Sequence, residues 1–234
     1  MSDTSVRIAE NLAAIRGSIA EAARRVGRSA DEITLVAVTK YVGEAEVRAL
    51  AAAGCLDIGE SRPQELWAKV AALADLPIRW HLVGHLQRNK IRRTLPLVSM
   101  IHSLDSVRLL EAIDHAAAES GKMTPALLEV NISANRAKHG LAPAEVAPLV
   151  EQLPAFPHVA VRGLMAMAGH EGDAHAARRD FAALRELREQ LRGQCAPQVT
   201  LDHLSMGMSG DYEVAVEEGA TIVRIGSALF AGLS

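Results

Sequence analysis

Cysteine is scarce in this chain: Cys55 and Cys195 are the only two, far apart and outside any CxxC pair. The sequence therefore offers neither a disulfide framework nor a zinc ribbon, and both residues are read as buried thiols. No stretch approaches 18 apolar residues, and the N-terminus, with Asp3, Arg7 and Glu10, lacks the apolar centre of a signal peptide. A cytoplasmic location without membrane partners is the expectation. An excess of positive charge is missing as well. The 25 basic and 28 acidic residues leave a net charge of −3, which argues against general affinity for nucleic acid. There is no GxGxxG, no P-loop lysine and no GxSxG, since GMSGD around Ser209 lacks the second glycine. Nicotinamide-dependent dehydrogenases and nucleotide hydrolases drop out. His170, Glu171 and His175 read HExxxH, and five residues turn a helix by about 500°, so the two histidines face apart and zinc is not supported.

What is present is alternation. Eight short apolar, β-branched runs recur: TLVAVT (34–39), CLDIG (55–59), IRWHLVG (78–84), SMIHSL (99–104), ALLEVNI (126–132), VAVRGLMAM (159–167), TLDHLSM (200–206) and TIVRIG (221–226). Each reads as a strand, and segments of helical periodicity such as PQELWAKVAALA and SVRLLEAIDHAAAES lie between them. Strand–helix repetition implies a parallel sheet covered by helices, and eight repeats in 234 residues predict an α/β fold, a closed (β/α)8 TIM barrel. The leading amphipathic segment VRIAENLAAIRGSIAEAARRVG is an added N-terminal helix that packs beside or beneath it. With no linker or composition break, residues 1–234 are read as a single domain.

Barrel active sites form at the C-terminal ends of the strands, so the residues that end each run are the candidates. Lysine is rare here, five of the 25 basic residues, and Lys40 ends the first run. Alternation aims Val36, Val38 and Lys40 to one side. A desolvated lysine at that mouth would be held as free amine, ready to attack a carbonyl; the alternative is a strand-end lysine reaching water by its long stem. The loops after the last two strands bring Ser205, Gly207, Ser209 and Gly210 together with Gly226 and Ser227, where barrels hold phosphate. The same residues also suit tight turns and caps, Ser209 being a candidate N-cap for a helix near Asp211. Arg224 sits inside an apolar run, which requires a ligand or a buried partner such as Glu129 or Asp202. His81, Glu129, Asn131, Arg162 and His203 raise the same question, and together they suggest a polar network. QRNKIRR (87–93) reads as a solvated helix face, and Ser61 with Gln64 fits a capping box opening a helix.

Lys40 in VAVTKYV, HLVGHLQRNK (81–90), EVNIS (129–133), GLMAM (163–167), SMGMSGD (205–211) and VRIGSALFAG (223–232), in this order, resemble the pyridoxal phosphate homeostasis proteins, the YggS/PROSC family. The resemblance implies the type III pyridoxal phosphate barrel shared with the N-terminal domain of alanine racemase. It makes pyridoxal 5'-phosphate (PLP) the cofactor and Lys40 its aldimine lysine. Arg224 approaches the pyridine nitrogen, and the loops with Ser205, Gly207, Ser209, Gly226 and Ser227 hold the phosphate. The implied function is vitamin B6 homeostasis: PLP is held reversibly, buffered and passed to apo-enzymes by a monomer with no established turnover. An amino-acid racemase is the alternative, disfavoured because the second-domain tyrosine is missing and Tyr41 and Tyr212 are the only tyrosines. A Schiff-base aldolase, or an RNA or protein module working through Arg88, Lys90, Arg92 and Arg93, is more remote. One departure stands out: GESRPQE (59–65) carries Ser61 where the family has asparagine, and Pro63 where it has an aliphatic residue.

Overall fold

The computed structural model describes residues 2–133, 139–169, 174–193, 195 and 199–233. Helix α1 (Asp3–Arg25) leads into β1 (Thr34–Val38), α2 (Glu44–Ala52), β2 (Asp57–Glu60), α3 (Pro63–Ala72), β3 (Arg79–Leu82) and the short α4 (Ile91–Thr94). Then follow β4 (Met100–Leu104), α5 (Val107–Ser120), β5 (Thr124–Glu129), α6 (Pro143–Gln152) and β6 (Val159–Met165). The chain ends with α7 (Ala174–Arg192), β7 (His203–Ser205), α8 (Tyr212–Glu217), β8 (Ile222–Ile225) and a 3₁₀ turn, Ser227–Phe230. The eight strands pair in sequence order, all parallel, and β8 closes on β1 with Val36 opposite Arg224. Each strand grows from one of the eight apolar runs, so the expected (β/α)8 barrel is what forms.

Alternation divides every strand between two environments. The outward-facing set joins the helices in the main core, while Val36, Leu127, Met165 and Ile222 form a separate apolar cluster inside the barrel, flanked by Val83 and Met100. Gly59 makes this filling fit: a Cβ there would lie 2.9 Å from Cγ1 of Val36. Helix α1 packs beside the barrel, against α2, α8 and the last 3₁₀ turn. It buries Ile8, Leu12, Ile15 and Ile19 along one stripe, and each such side chain contributes about 1.5–3 kcal/mol. Held between α2 and α8, α1 lies over the seam where β8 closes on β1. Asn11 fastens it there by donating to the carbonyls of Leu229 and Ala231.

The capping box expected at Ser61 and Gln64 does not form. Helix α3 begins at Pro63, with Arg62 as its N-cap and no side-chain cap bond. Proline is pre-set for the first helical position and puts the N-cap one residue beyond the serine. Cys55 is buried and Cys195 half-buried, both as free thiols, and burial pushes the Cys55 thiol up to about 11. No helix among the described residues is long and apolar enough to cross a membrane.

Candidate functional site

Lys40 lies two residues past β1, at the C-terminal end of the barrel, as alternation places it. It is exposed there, with Nζ 4.8 Å from the centroid of the Tyr41 ring. Of the two alternatives for Lys40, the strand-end lysine reaching water is the one that forms. The buried lysine is Lys69 on α3, which donates to the Thr39 carbonyl at 2.7 Å and to Glu60 Oε1 at 2.5 Å. Thr39 Oγ1 donates to the same carboxylate oxygen at 2.6 Å. This clamp grips the residue immediately before Lys40 and sets the direction in which the chain leaves the barrel. Glu60 Oε2 is buried without a hydrogen-bond partner, so the pair specifies a conformation more than it stabilises the fold. One signal for Lys69 was in the sequence: at i, i+3 and i+7 from Leu66 it shares the buried stripe of α3 with Leu66 and Leu73.

A chain of hydrogen bonds crosses the barrel interior. Arg79 pairs with Asp57, Asp57 Oδ1 lies 3.1 Å from His81 Nε2, and His81 Nδ1 lies 3.0 Å from His102 Nε2. His102 Nδ1 then meets Ser205 Oγ at 2.9 Å, and Ser205 Oγ accepts from Arg224 Nη1 at 2.6 Å. Arginine only donates and an ionised carboxylate only accepts, so Arg224 donates to Ser205 and His81 donates to Asp57 through its Nε2–H. His102 is held neutral, so it accepts at one ring nitrogen and donates at the other. Burial, with His81 and Arg224 nearby, holds His102 well below the usual imidazole range. Burial alone would raise Asp57, but bonds from His81 and Arg79 outweigh it and bring the carboxyl down to about 2. Asp57 and Arg79 open onto a recess of about 440 Å³ at the base of the barrel.

Arg224 is buried in the upper barrel, where Nη1 donates to the Ser205 carbonyl at 2.7 Å and Nη2 to the Ala166 carbonyl at 3.0 Å. Burial lowers it to about 10, with the charge of Glu129 acting in the opposite sense. Neither suggested ion-pair partner holds it: Asp202 pairs with Arg192, and Glu129 acts at longer range. Of the five guanidinium N–H bonds, three go to Ser205 and Ala166, leaving two without a partner among the described residues. Glu129, at the end of β5, is raised to about 7 by burial and by the charge of Asp105.

The loops after β7 and β8 are tied together by Ser209, whose Oγ accepts from the N–H groups of Gly226 at 3.2 Å and Ala228 at 3.3 Å. Ser209 is thus not the cap of α8. That N-cap is Asp211, whose carboxylate accepts from the Met208 N–H at 2.6 Å. Gly207 has φ +92°, and a Cβ there would lie 2.5 Å from that of Ala215. Ser227 is exposed at the rim, whereas the hydroxyl of the fully buried Ser205 is committed to His102 and Arg224. Ser209, Gly226 and Ser227 therefore gather at one place, and Ser205 stands behind Arg224.

Ser61 lies one residue past β2, in a recess shared with Gln64, His85 and Lys90. The basic run is a solvated face, as expected: Arg88, Arg92 and Arg93 are exposed, with Arg93 stacked 4.2 Å over Trp67 and Arg92 paired with Glu119. His203 leans on Thr221 at 3.3 Å, and Arg162 borders a second recess beneath β6. His175 lies on α7, while His170 and Glu171 fall outside the described residues.

Comparison with known proteins gives this arrangement a context. The family described as alanine racemase, N-terminal domain, matches residues 11–234. The pyridoxal phosphate homeostasis protein of Pseudomonas aeruginosa is 40% identical over 223 residues, 95% of this chain and 94% of its own. That of Aquifex aeolicus is 39% identical over 221 residues, 94% of this chain and 96% of its own. The chain belongs to the pyridoxal phosphate homeostasis protein family. Among solved structures it is similar to PipY of Synechococcus elongatus, at 39% identity and TM-score 0.87 over 96% of this chain and 100% of PipY. The PLP-bound form of PipY gives 38% identity and TM-score 0.84, with the same coverage. Alanine racemase from Clostridium difficile shares the fold alone, at 13% identity and TM-score 0.74 over 95% of this chain and 56% of the racemase.

Proposed function

We propose that this protein binds pyridoxal 5'-phosphate at the barrel mouth, bonds it reversibly through Lys40, and buffers or delivers it within the cell. We read residues 1–234 as one such domain, a cytoplasmic monomer that passes the cofactor to apo-enzymes. When bound, the cofactor supplies an aldehyde that condenses with a primary amine. Everything else falls to the protein. Lys40 presents the amine, and the Lys69–Glu60 clamp on Thr39 fixes where that amine leaves the barrel. Arg224 would offer one of its remaining N–H donors to the ring nitrogen, whose single lone pair accepts one. A guanidinium does not give up a proton readily, so it would leave that nitrogen unprotonated and restrain carbanion chemistry.

The phosphate role goes to Ser209, Gly207, Gly226 and Ser227. The N–H groups of Gly226 and Ala228 already converge on one oxygen, Ser209 Oγ, and the donor set suits a phosphate oxygen equally well. Ser205 serves the site from behind, by holding Arg224. The exposure of Lys40 also fits a carrier, because an incoming amine can reach it without the barrel opening.

One observation carries this reading. An exposed amine, a buried guanidinium and converging loop N–H groups share one barrel mouth, in a chain that PipY, solved with PLP bound, matches over 96% of its length. The test is the visible absorption spectrum after incubation with PLP, before and after borohydride, with the modified peptide located by mass spectrometry. The expected result is a yellow band abolished by reduction, leaving a phosphopyridoxyl group on Lys40. A protein that stays colourless and unmodified in excess PLP sinks the proposal.

A further inference from the structure

We propose that His85, Asp105 and His139 form a binding site for one divalent transition-metal ion of the zinc class, on the rim of the barrel beside β3, β4 and β5. One nitrogen from each imidazole and one carboxylate oxygen lie within 4.8 Å of one another. The three donors come from three separate segments: His85 follows β3, Asp105 directly follows β4, and His139 lies between β5 and α6. In the closed order of strands this is the side of the mouth away from β7 and β8, so the Ser209 loop plays no part in it.

Asp105 is held in place for such a task. Its Oδ1 accepts from Ser106 Oγ at 3.0 Å, which leaves Oδ2 facing His85 Nδ1 at 2.9 Å. The Asp105 side chain is only 10% exposed, and among the described residues its ion partner is His85 alone, with no lysine or arginine within 4.0 Å. The more deeply buried carboxylate of Glu60 is balanced by a fixed cation, Lys69. A simple His–Asp pair accounts for His85 but not for His139, whose ring stacks on that of His85 at 5.0 Å and 18°. Near-parallel rings at this spacing bring two imidazole edges to the same carboxylate.

The donor set selects the ion. Imidazole with one carboxylate suits zinc, nickel, cobalt and copper, whereas magnesium and calcium prefer all-oxygen sites. Metal–ligand bonds of about 2.0–2.1 Å place tetrahedral donors about 3.4 Å apart, so the site closes by small rotations of the two exposed histidines. Three protein ligands leave the fourth position to water or an exogenous anion.

The test uses the full-length protein without a histidine tag, titrated with Zn²⁺ by calorimetry and with Co²⁺ by visible absorption. The expected result is one ion per chain and a Co²⁺ spectrum of low coordination number. His85→Ala, His139→Ala and Asp105→Asn should each weaken binding about tenfold or more, the loss typical even of outer-shell changes. His115→Ala, which removes an exposed histidine beside Glu119, should leave it unchanged. Both histidines are exposed, so the His139→Ala protein is expected to unfold at the wild-type midpoint and decides the matter even if Asp105→Asn folds poorly. Absence of Zn²⁺ binding, or affinity equal in wild type and His139→Ala, overturns the proposal. Neither result bears on PLP loading at Lys40, which is measured separately.

Discussion

At the scale of single residues, burial and exposure assign different work to the two lysines near the mouth. Lys40 is free to react, whereas Lys69 is fixed between Thr39 and Glu60. Lys69→Met leaves the Glu60 carboxylate buried and unbalanced, so urea unfolding should show a loss of about 3–5 kcal/mol, with part of it restored in Lys69→Met/Glu60→Gln. The same variant should load PLP more weakly, because the turn carrying Lys40 loses its anchor. In the interior, ¹⁵N spectra of histidine-labelled protein should report His102 as a neutral imidazole at neutral pH; an imidazolium signal at His102 would contradict the burial that holds it uncharged.

Acid should act on the same chain through two groups. Asp57 is lowered from 3.8 to about 2 in the folded protein, so its contribution is present above pH 4 and disappears as pH falls through 2. His102 is also lowered, from 6.5, which means that the unfolded chain binds the proton first and stability declines as pH drops below that value. An Asp57→Asn protein should therefore be less stable than wild type at neutral pH, and the gap measured by urea unfolding should narrow towards pH 2.

Among the elements, the loops after β7 and β8 depend on backbone conformation as much as on side chains. Gly207→Ala must adopt φ +92° against Ala215, which should cost about 1–3 kcal/mol of stability and disturb the path to Ser209. Ser209→Ala keeps the backbone but removes the oxygen shared by Gly226 and Ala228. Its thermal stability should change by about 1 kcal/mol, while PLP affinity, followed by absorption, should fall by a larger factor. Equal affinity in Ser209→Ala and wild type would remove this serine from the phosphate role.

For the whole molecule, the barrel and the covalent site are separable. Lys40 is exposed and outside the core, so Lys40→Ala should unfold at the wild-type midpoint, yet give no yellow band and no borohydride-stable adduct. Retention of a reducible adduct on another lysine would move the site. The covering of β8 and β1 by α1 predicts the opposite for Leu12→Ala, a fully buried change that should cost about 2–5 kcal/mol while leaving residual loading chemistry intact.

Much of this was legible in the sequence because the information is local. Period-two alternation placed Val36 inside the barrel and carried Lys40 to its mouth, and apolar runs interrupted by Arg224, His81 and Glu129 marked a polar interior. The motif order from VAVTKYV to VRIGSALFAG pointed to the family. Other assignments depended on partners remote in the chain. Ser205 looked like a loop residue until His102 and Arg224 claimed its hydroxyl, and the stripe that buries Lys69 gave no hint that Glu60, at the end of β2, would meet it. His85, Asp105 and His139 share no motif at all. Composition and periodicity determine which residues face a core, since that follows from backbone geometry alone. Which buried polar groups find each other is decided only when eight strands close, because each pairing joins segments that the sequence keeps apart.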